Sequence, residues 1–394
     1  MYIIIIYGEN MKKDLLMLLG NVAALLCAIA LIVNVAPKLT EQITIFNTGV
    51  AAIFAPVDYV GKFTDINMVK INDNDNPNNT TSESVGRRSD GIAGKDSDLY
   101  SNITETPADI QKLMDDAKKG IEKEEKIGNT SEDDYFGGGT LVSYGDVEVQ
   151  SKIPSSFYDL NIEDLLNQKA DLSISDISKP TILVYHSHTT EAYTLLDVGY
   201  YTKSLDLRSD DNSKNMVRVG DELVEYLEMQ GFNVIHDTQI HDENYNGAYD
   251  SSRASIEKYL EEYPSIEITI DVHRDDITYE NKTKVKPTAT INGKKAAKMM
   301  IISGCEYNSI TNFPNWESNL RFNLAIQNSV EKMYPGLMRP ILFAERRYNM
   351  FETKNSFLLE VGTDGNTLDE ACYSARLFAV ALGDMLLKEY VEEK

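Results

Sequence analysis

Residues 180–394 read as an α/β domain with a mostly parallel central sheet flanked by helices, and three observations carry that reading. Short apolar runs alternate with segments of helical periodicity, the pattern that builds strand–helix–strand units. The run TILVYHSHTTEAY, residues 181–193, is an apolar strand leading straight into His186, His188 and Glu191. The run SIEITIDVHRDD, residues 265–276, alternates Ile266, Ile268, Ile270 and Val272 with polar residues and ends at His273. Open α/β sheets build their sites at such carboxyl ends of strands.

The elements follow in order. After the 181–193 strand, residues 215–230 place Met216, Val219, Leu223, Tyr226 and Leu227 on one helical face, and Gly231 ends that helix before a strand at 232–235. A helix over 251–262 stops at Pro264 and leads into the His273 strand. Residues 296–302 form a further apolar strand, 320–333 a helix closed by Tyr334, Pro335 and Gly336, 356–361 a strand, and 368–390 a final helix.

Upstream, residues 15–36 are roughly 22 uncharged positions, enough helix to cross a bilayer core. Lys12 and Lys13 precede this span, so the sequence predicts a single-pass anchor in the cell membrane, with residues 1–14 cytoplasmic and the remainder extracytoplasmic. A cleaved signal peptide is the competing reading, and Met11 is an alternative start. Residues 37–71 form a membrane-proximal segment. Residues 72–179 read as a largely disordered linker, being rich in Asn, Asp, Ser, Lys and Glu, with a polar helix near 109–126 and a short strand near 140–149.

A net charge of −24 argues against a nucleic-acid surface. Three cysteines without a C-x-x-C pair suggest neither a thiolate zinc site nor a disulfide framework. Imidazole and carboxylate, by contrast, are the ligands that a catalytic zinc site combines with an open position. His188, His273 and Glu191 are the expected ligands, with His186 as an alternative, and Asp271, Asp275 and Asp276 are suited to orient His273. Glu360 ends the apolar run SFLLEV, where desolvation raises a carboxyl pKa as a general base requires. Arg274, Arg253 and Asn349 are candidates for binding substrate. For Arg253 the simpler account is pairing with Glu257, and for Asn349 a turn. The residue pattern thus points to metal-assisted amide hydrolysis. A non-catalytic binding module and a metallopeptidase of another pathway stand as alternatives.

The runs YHSHTTEAY, NMVRVGDELVEYLEMQGFNVIHD, DSSRASIEKYLEEYP, IDVHRD, YNM and LLEVGTDGNT resemble the stage II sporulation protein P (SpoIIP) family, over most of residues 180–394. That family is similar to the zinc-dependent N-acetylmuramoyl-L-alanine amidases. The resemblance implies a zinc amidase-like fold and a membrane-anchored peptidoglycan hydrolase that cuts the amide between N-acetylmuramic acid and the stem peptide. It also implies endopeptidase activity on cross-links, a role in forespore engulfment, and the D and M stage II sporulation proteins as partners. Laid over the amidase pattern, His188 takes the first zinc histidine, His273 the last and Glu360 the catalytic glutamate. The ligand glutamate falls near Asp211, which therefore competes with Glu191.

Overall fold

The computed structural model of the chain describes residues 96–392. The expectations for 1–14, 15–36 and 37–71, and for the first part of the 72–179 segment, lie outside those residues. Among the described residues no helix is long and apolar enough to cross a membrane.

In chain order the elements are α1 (Asp96–Ser101), α2 (Ala108–Lys118), β1 (Lys126–Ser131), β2 (Thr140–Tyr144), β3 (Val147–Ser151), α3 (Ile162–Leu166), β4 (Pro180–Tyr185) and β5 (Tyr200–Thr202). Then come α4 (Met216–Glu228), β6 (Asn233–His236), α5 (Ala248–Glu262), β7 (Ile268–Asp275), β8 (Thr283–Val285), β9 (Thr288–Ile291), β10 (Lys294–Ala297) and β11 (Met299–Gly304). The last are α6 (Trp316–Met333), β12 (Ile341–Ala344), β13 (Asn355–Thr363) and α7 (Leu368–Glu389).

Eight strands form one sheet in the order β2-β3-β12-β11-β13-β7-β4-β6. The pairs β3–β12, β12–β11, β13–β7, β7–β4 and β4–β6 are parallel, while β2–β3 and β11–β13 are antiparallel. The sheet is thus mostly parallel, as the sequence predicts, with two antiparallel pairings. Its two halves run in opposite directions, and β6, β4, β7 and β13 deliver their carboxyl ends to one edge. Central β7 and β13 are buried along their whole length, as strands covered on both faces are.

Period-two alternation sorts the side chains. Ile182, Val184, Ile268, Ile270, Val272, Phe357, Leu359 and Val361 join the main core. Helix α7 packs against α4 and α6 in the layer covering this face, buried almost throughout and opened by a Thr367/Glu370 capping box. Helix α4 starts at Asn215, whose side chain accepts from Val217 N, and turns its apolar stripe inward. On the opposite face, Leu183 and Tyr185 meet Ile256 of α5, and the alternate positions Asp271, His273, Leu358 and Glu360 lie on that side.

Two expectations change. The single strand expected at 296–302 is split between β10 and β11, because Asn292 (φ 49) and Gly293 (φ 80) form a tight turn that pairs β9 with β10 as a separate hairpin. The linker expected over 72–179 does not extend through 96–179. Several of its sparse apolar residues are buried: Ile110, Val147 and Val149 are inaccessible, and β3 adds to the sheet beside β12. Helix α2 is tied down by Asp109, which accepts from Arg218 Nε at 2.7 Å, and Arg376 Nη1 donates to Ile103 O and Glu105 O at 3.0 and 2.7 Å.

A fragment beginning at Pro180 should therefore lack β1–β3 and expose Ile341 and Phe343 on a bare β12 edge. It is expected to lose the cooperative thermal unfolding that a fragment beginning at Asp96 shows. Equal unfolding midpoints by circular dichroism would count against the assignment of 96–179 to the folded domain.

Candidate active site

The chain leaves β4 at Tyr185 and doubles back within a few residues. Thr189 Oγ1 donates to His186 O at 2.7 Å, and Glu191 N donates to His188 O at 3.1 Å. Ser187 ties this turn to β7, its backbone N–H and hydroxyl donating to the two carboxylate oxygens of Asp271 at 2.8 and 2.7 Å. The turn brings His188 and Glu191 against His273. The imidazoles of His188 and His273 meet edge-on with centroids 5.5 Å apart, and His273 Nδ1 stands 3.4 Å from Glu191 Oε2. Glu360 lies directly beside His273 in the β13–β7 register. All four side chains are buried.

Charge within the cluster is strongly coupled. Burial opposes ionisation of Glu191, but the hydrogen bond from His273 and the charge of Arg274 outweigh it and hold the carboxyl down, at about 2. Burial also opposes the charge on His273, yet Asp271 and Glu191 prevail and raise the imidazole well above its usual range. His273 Nε2 is 2.8 Å from Asp271 Oδ1, a charge contact without hydrogen-bond alignment. Glu360 moves the other way: burial, then the negative charge of Asp275, push its carboxyl well above the ordinary carboxylate value. Its Oε2 is buried without a hydrogen-bond partner.

Residues that the sequence did not single out complete the surroundings. Asp242, fully buried, accepts from Thr190 N, Thr190 Oγ1 and Arg208 Nη1 at 3.1, 2.7 and 2.8 Å, and stands 3.8 Å from His188 Nδ1. Tyr245 stacks on His188 at 4.5 Å, with the Arg208 guanidinium 4.8 Å from the Tyr245 ring centroid. Tyr249 meets His188 edge-on at 5.5 Å and faces His273 at 6.4 Å. Only the acid of HDEN beside His241 offered a sequence signal for Asp242. Tyr245 and Tyr249 sit in and beside a loop with no periodic pattern.

Other candidates lie elsewhere. His186 is turned to the helix-covered face, where Nδ1 contacts Val272 O at 2.9 Å and Nε2 contacts His236 Nε2 at 3.0 Å beneath Gly220 of α4. Burial and the neighbouring His236 lower its pKa to about 3. Asp211 is exposed in a loop and held by Ser213 and Lys214. Arg274 is also corrected as a substrate contact: it is buried, and its guanidinium donates to Ala192 O, Asp275 O and Leu207 O at 2.7, 3.3 and 3.0 Å. Arg253 pairs with Glu352 and Glu257 at 2.9 and 3.0 Å. Asn349 is buried and donates to Tyr249 O and Ser252 Oγ, a structural rather than a substrate contact. A cavity of about 440 Å³ opens beside Ala192 and Tyr200, but none of the four clustered side chains lines it.

Among the described residues no three His, Cys, Asp or Glu side chains are already spaced to hold one metal ion. As they stand, Glu191 and His273 contact each other. The donor set nonetheless fits a zinc-type ion: two imidazoles and a carboxylate, with an aspartate 3.8 Å from His188 Nδ1 and another 2.8 Å from His273 Nε2, and neither nitrogen hydrogen-bonded. Replacement of Arg274 by Ala is expected to cost about 3 kcal/mol by removing a buried guanidinium that bridges Ala192 O, Asp275 O and Leu207 O, read as a lower urea midpoint. An unchanged midpoint would return Arg274 to the substrate-binding set.

The stage II sporulation protein P (SpoIIP) family profile matches residues 66–383. Stage II sporulation protein P of Bacillus subtilis (strain 168) is 29% identical over 219 residues, covering 52% of this chain and 51% of that protein. The chain thus spans about half the length of that curated relative. Among solved structures, the N-acetylmuramoyl-L-alanine amidase AmiC2 of Nostoc punctiforme overlaps 54% of this chain and 97% of its own, at 13% identity and a TM-score of 0.32. The CwlD amidase of Clostridioides difficile, solved in complex with the GerS lipoprotein, overlaps 53% and 100%, at 13% identity and the same TM-score. By the sequence match over residues 66–383, the chain belongs to the stage II sporulation protein P family.

Proposed function

We propose that this chain is a zinc-dependent peptidoglycan hydrolase that cuts the N-acetylmuramoyl-L-alanine amide. The observation that carries the reading is the convergence of His188, Glu191 and His273 from two strand ends, with Glu360 next to His273 and its Oε2 left without a partner in a buried setting. His188, Glu191 and His273 would hold the ion, which when bound supplies Lewis acidity toward the scissile carbonyl and the attacking water.

The chain's own residues do the rest. Asp271 and Asp242 stand beside the two imidazoles and bias by charge which ring nitrogen faces the cluster. Glu360 Oε2 takes the proton of the attacking water and hands it to the departing amide nitrogen. Burial and the charge of Asp275 raise its pKa, which strengthens it as the base that takes up and then returns a proton. Tyr245 and Tyr249 flank the cluster and limit the water that reaches it. Family membership supports a role in sporulation, and we place the activity in forespore engulfment, together with the D and M stage II sporulation proteins. In this reading residues 15–36 anchor the enzyme in the cell membrane with its catalytic domain outside. Endopeptidase action on cross-links is part of the same proposal.

Metal analysis tests the ligand set. The wild type is expected to bind zinc, with affinity falling about 100-fold or more in His188→Ala, Glu191→Ala and His273→Ala and holding in Asp211→Ala. Loss of zinc in Asp211→Ala but not in Glu191→Ala would reverse the assignment. Glu360→Gln should keep its zinc while turnover of cell-wall sacculi drops about 100-fold to 10,000-fold. Mass spectrometry of the released fragments reads the bond cut. Intact stem peptides freed from glycan indicate the amidase, cut cross-links with glycan-bound peptides indicate the endopeptidase, and sacculi bound but not degraded by zinc-loaded protein would sink the hydrolase reading.

A further inference from the structure

Residues 345–354, between β12 and β13, cross the open face of the sheet instead of staying at the edge where β12 ends. The loop is pinned from three sides. Asn349 Nδ2 donates to Tyr249 O and Ser252 Oγ at 3.1 and 3.0 Å, Asn319 Nδ2 donates to Met350 O at 2.7 Å, and Arg346 O lies so close over Gly304 that a Cβ there would have no room. Held this way, Tyr348 adopts φ +42°, the left-handed region that a bulky residue enters only at a cost. Glycine would meet the backbone need without strain, so a tyrosine there points to use of the side chain.

That side chain reaches the cluster. The Tyr348 ring packs against the small apolar cluster of Met300, Ile302, Leu342, Ala344 and Leu358 and stacks on Tyr249 with centroids 4.9 Å apart. The negative charge of Glu360 and the positive charge of His273 both act on its phenol. Arg346, two residues earlier in the same loop, acts on the same phenol through its positive charge. Arg346 Nη1 donates to its neighbour's carbonyl, Glu345 O, at 3.0 Å, and among the described residues no carboxylate lies within ion-pair distance of the guanidinium. The Glu345 carboxylate itself turns away to Ser309 and Asn308. Lys152 lies close enough to feel the Arg346 charge. In a chain of net charge −24, an arginine without an ion-pair partner among the described residues, beside a second cation and with the Glu345 carboxylate acting on it through charge alone, forms a place for an anion.

We propose that Arg346 and the Tyr348 phenol bind a carboxylate of the peptide substrate beside Glu360, so that this loop selects peptides bearing a free acid near the scissile amide. The proposal rests on the reading of the chain as a peptidoglycan amide hydrolase. The guanidinium supplies only donors and a full positive charge, and the phenol adds an O–H donor, so a carboxylate gains a charge-assisted, bidentate partner that its neutral amide lacks.

The test compares two soluble muramyl peptides, identical except that one carries free carboxylates and the other carboxamides. The full-length wild type is expected to favour the free acid about tenfold or more in kcat/KM, and Arg346→Gln to bring the two within about twofold. Arg346→Lys should restore part of the preference, and Tyr348→Phe should lose part of it, with urea midpoints following wild type. A preference kept intact in Arg346→Gln, or absent from wild type, would overturn the proposal. Calorimetric binding in the Glu360→Gln background separates this from the hydrolase reading, because it needs no turnover. If wild type cleaves neither peptide, the hydrolase reading fails. The subsite then stands if Arg346→Gln still weakens binding of the free acid about tenfold, and falls if binding is equal.

Discussion

The buried carboxylate of Asp271 is the constraint on which the site depends. A charge taken out of water must be compensated, and Asp271 is met by two donors of Ser187 from the β4 exit and by the charge of His273 on its own strand. Satisfying that one group therefore fixes two things together. It sets how the chain turns after Tyr185, and through that turn where His188 and Glu191 fall; it also sets the rotation of the His273 ring. The parallel register of β13 with β7 then brings Glu360 alongside without further adjustment. Burial, which is a cost for each of these groups alone, becomes the means by which their charges bias one another.

Much of this could be read from the residues, for a physical reason. A strand that carries chemistry on one face and core on the other must keep its apolar residues in step, and Ile266, Ile268, Ile270 and Val272 do so up to His273. The run before Glu360 and the helical stripe of α4 are equally plain. The rule stopped working where the strand stopped. Period two puts His186 and His188 on one face only if the chain stays extended, and the Thr189 and Glu191 hydrogen bonds fold it back at that point. His186 consequently lies under Gly220 on the far side of the sheet.

The segment 96–179 was misread for a different reason. Its composition is that of a solvated chain, yet a few side chains at the right places suffice. Ile110 and Val149 each bury completely, and Arg376, a helix residue almost three hundred positions downstream, satisfies two of its loop carbonyls. Composition averages over such contacts. Asp242 was hidden because a loop acid has no period to stand out against, and Asn292–Gly293, a strong hairpin signal, went unread beside an apolar run.

The opposed directions of the two sheet halves also divide the loops into separate groups. Segments that leave β4, β6, β7 and β13 emerge around the cluster, whereas those that enter these strands, such as the turn at Gly231, lie at the far edge. Lineages of this fold can therefore lengthen, shorten or decorate the far-edge turns without touching bond cleavage. A dye or surface tether placed there would report on the molecule while leaving its working edge free.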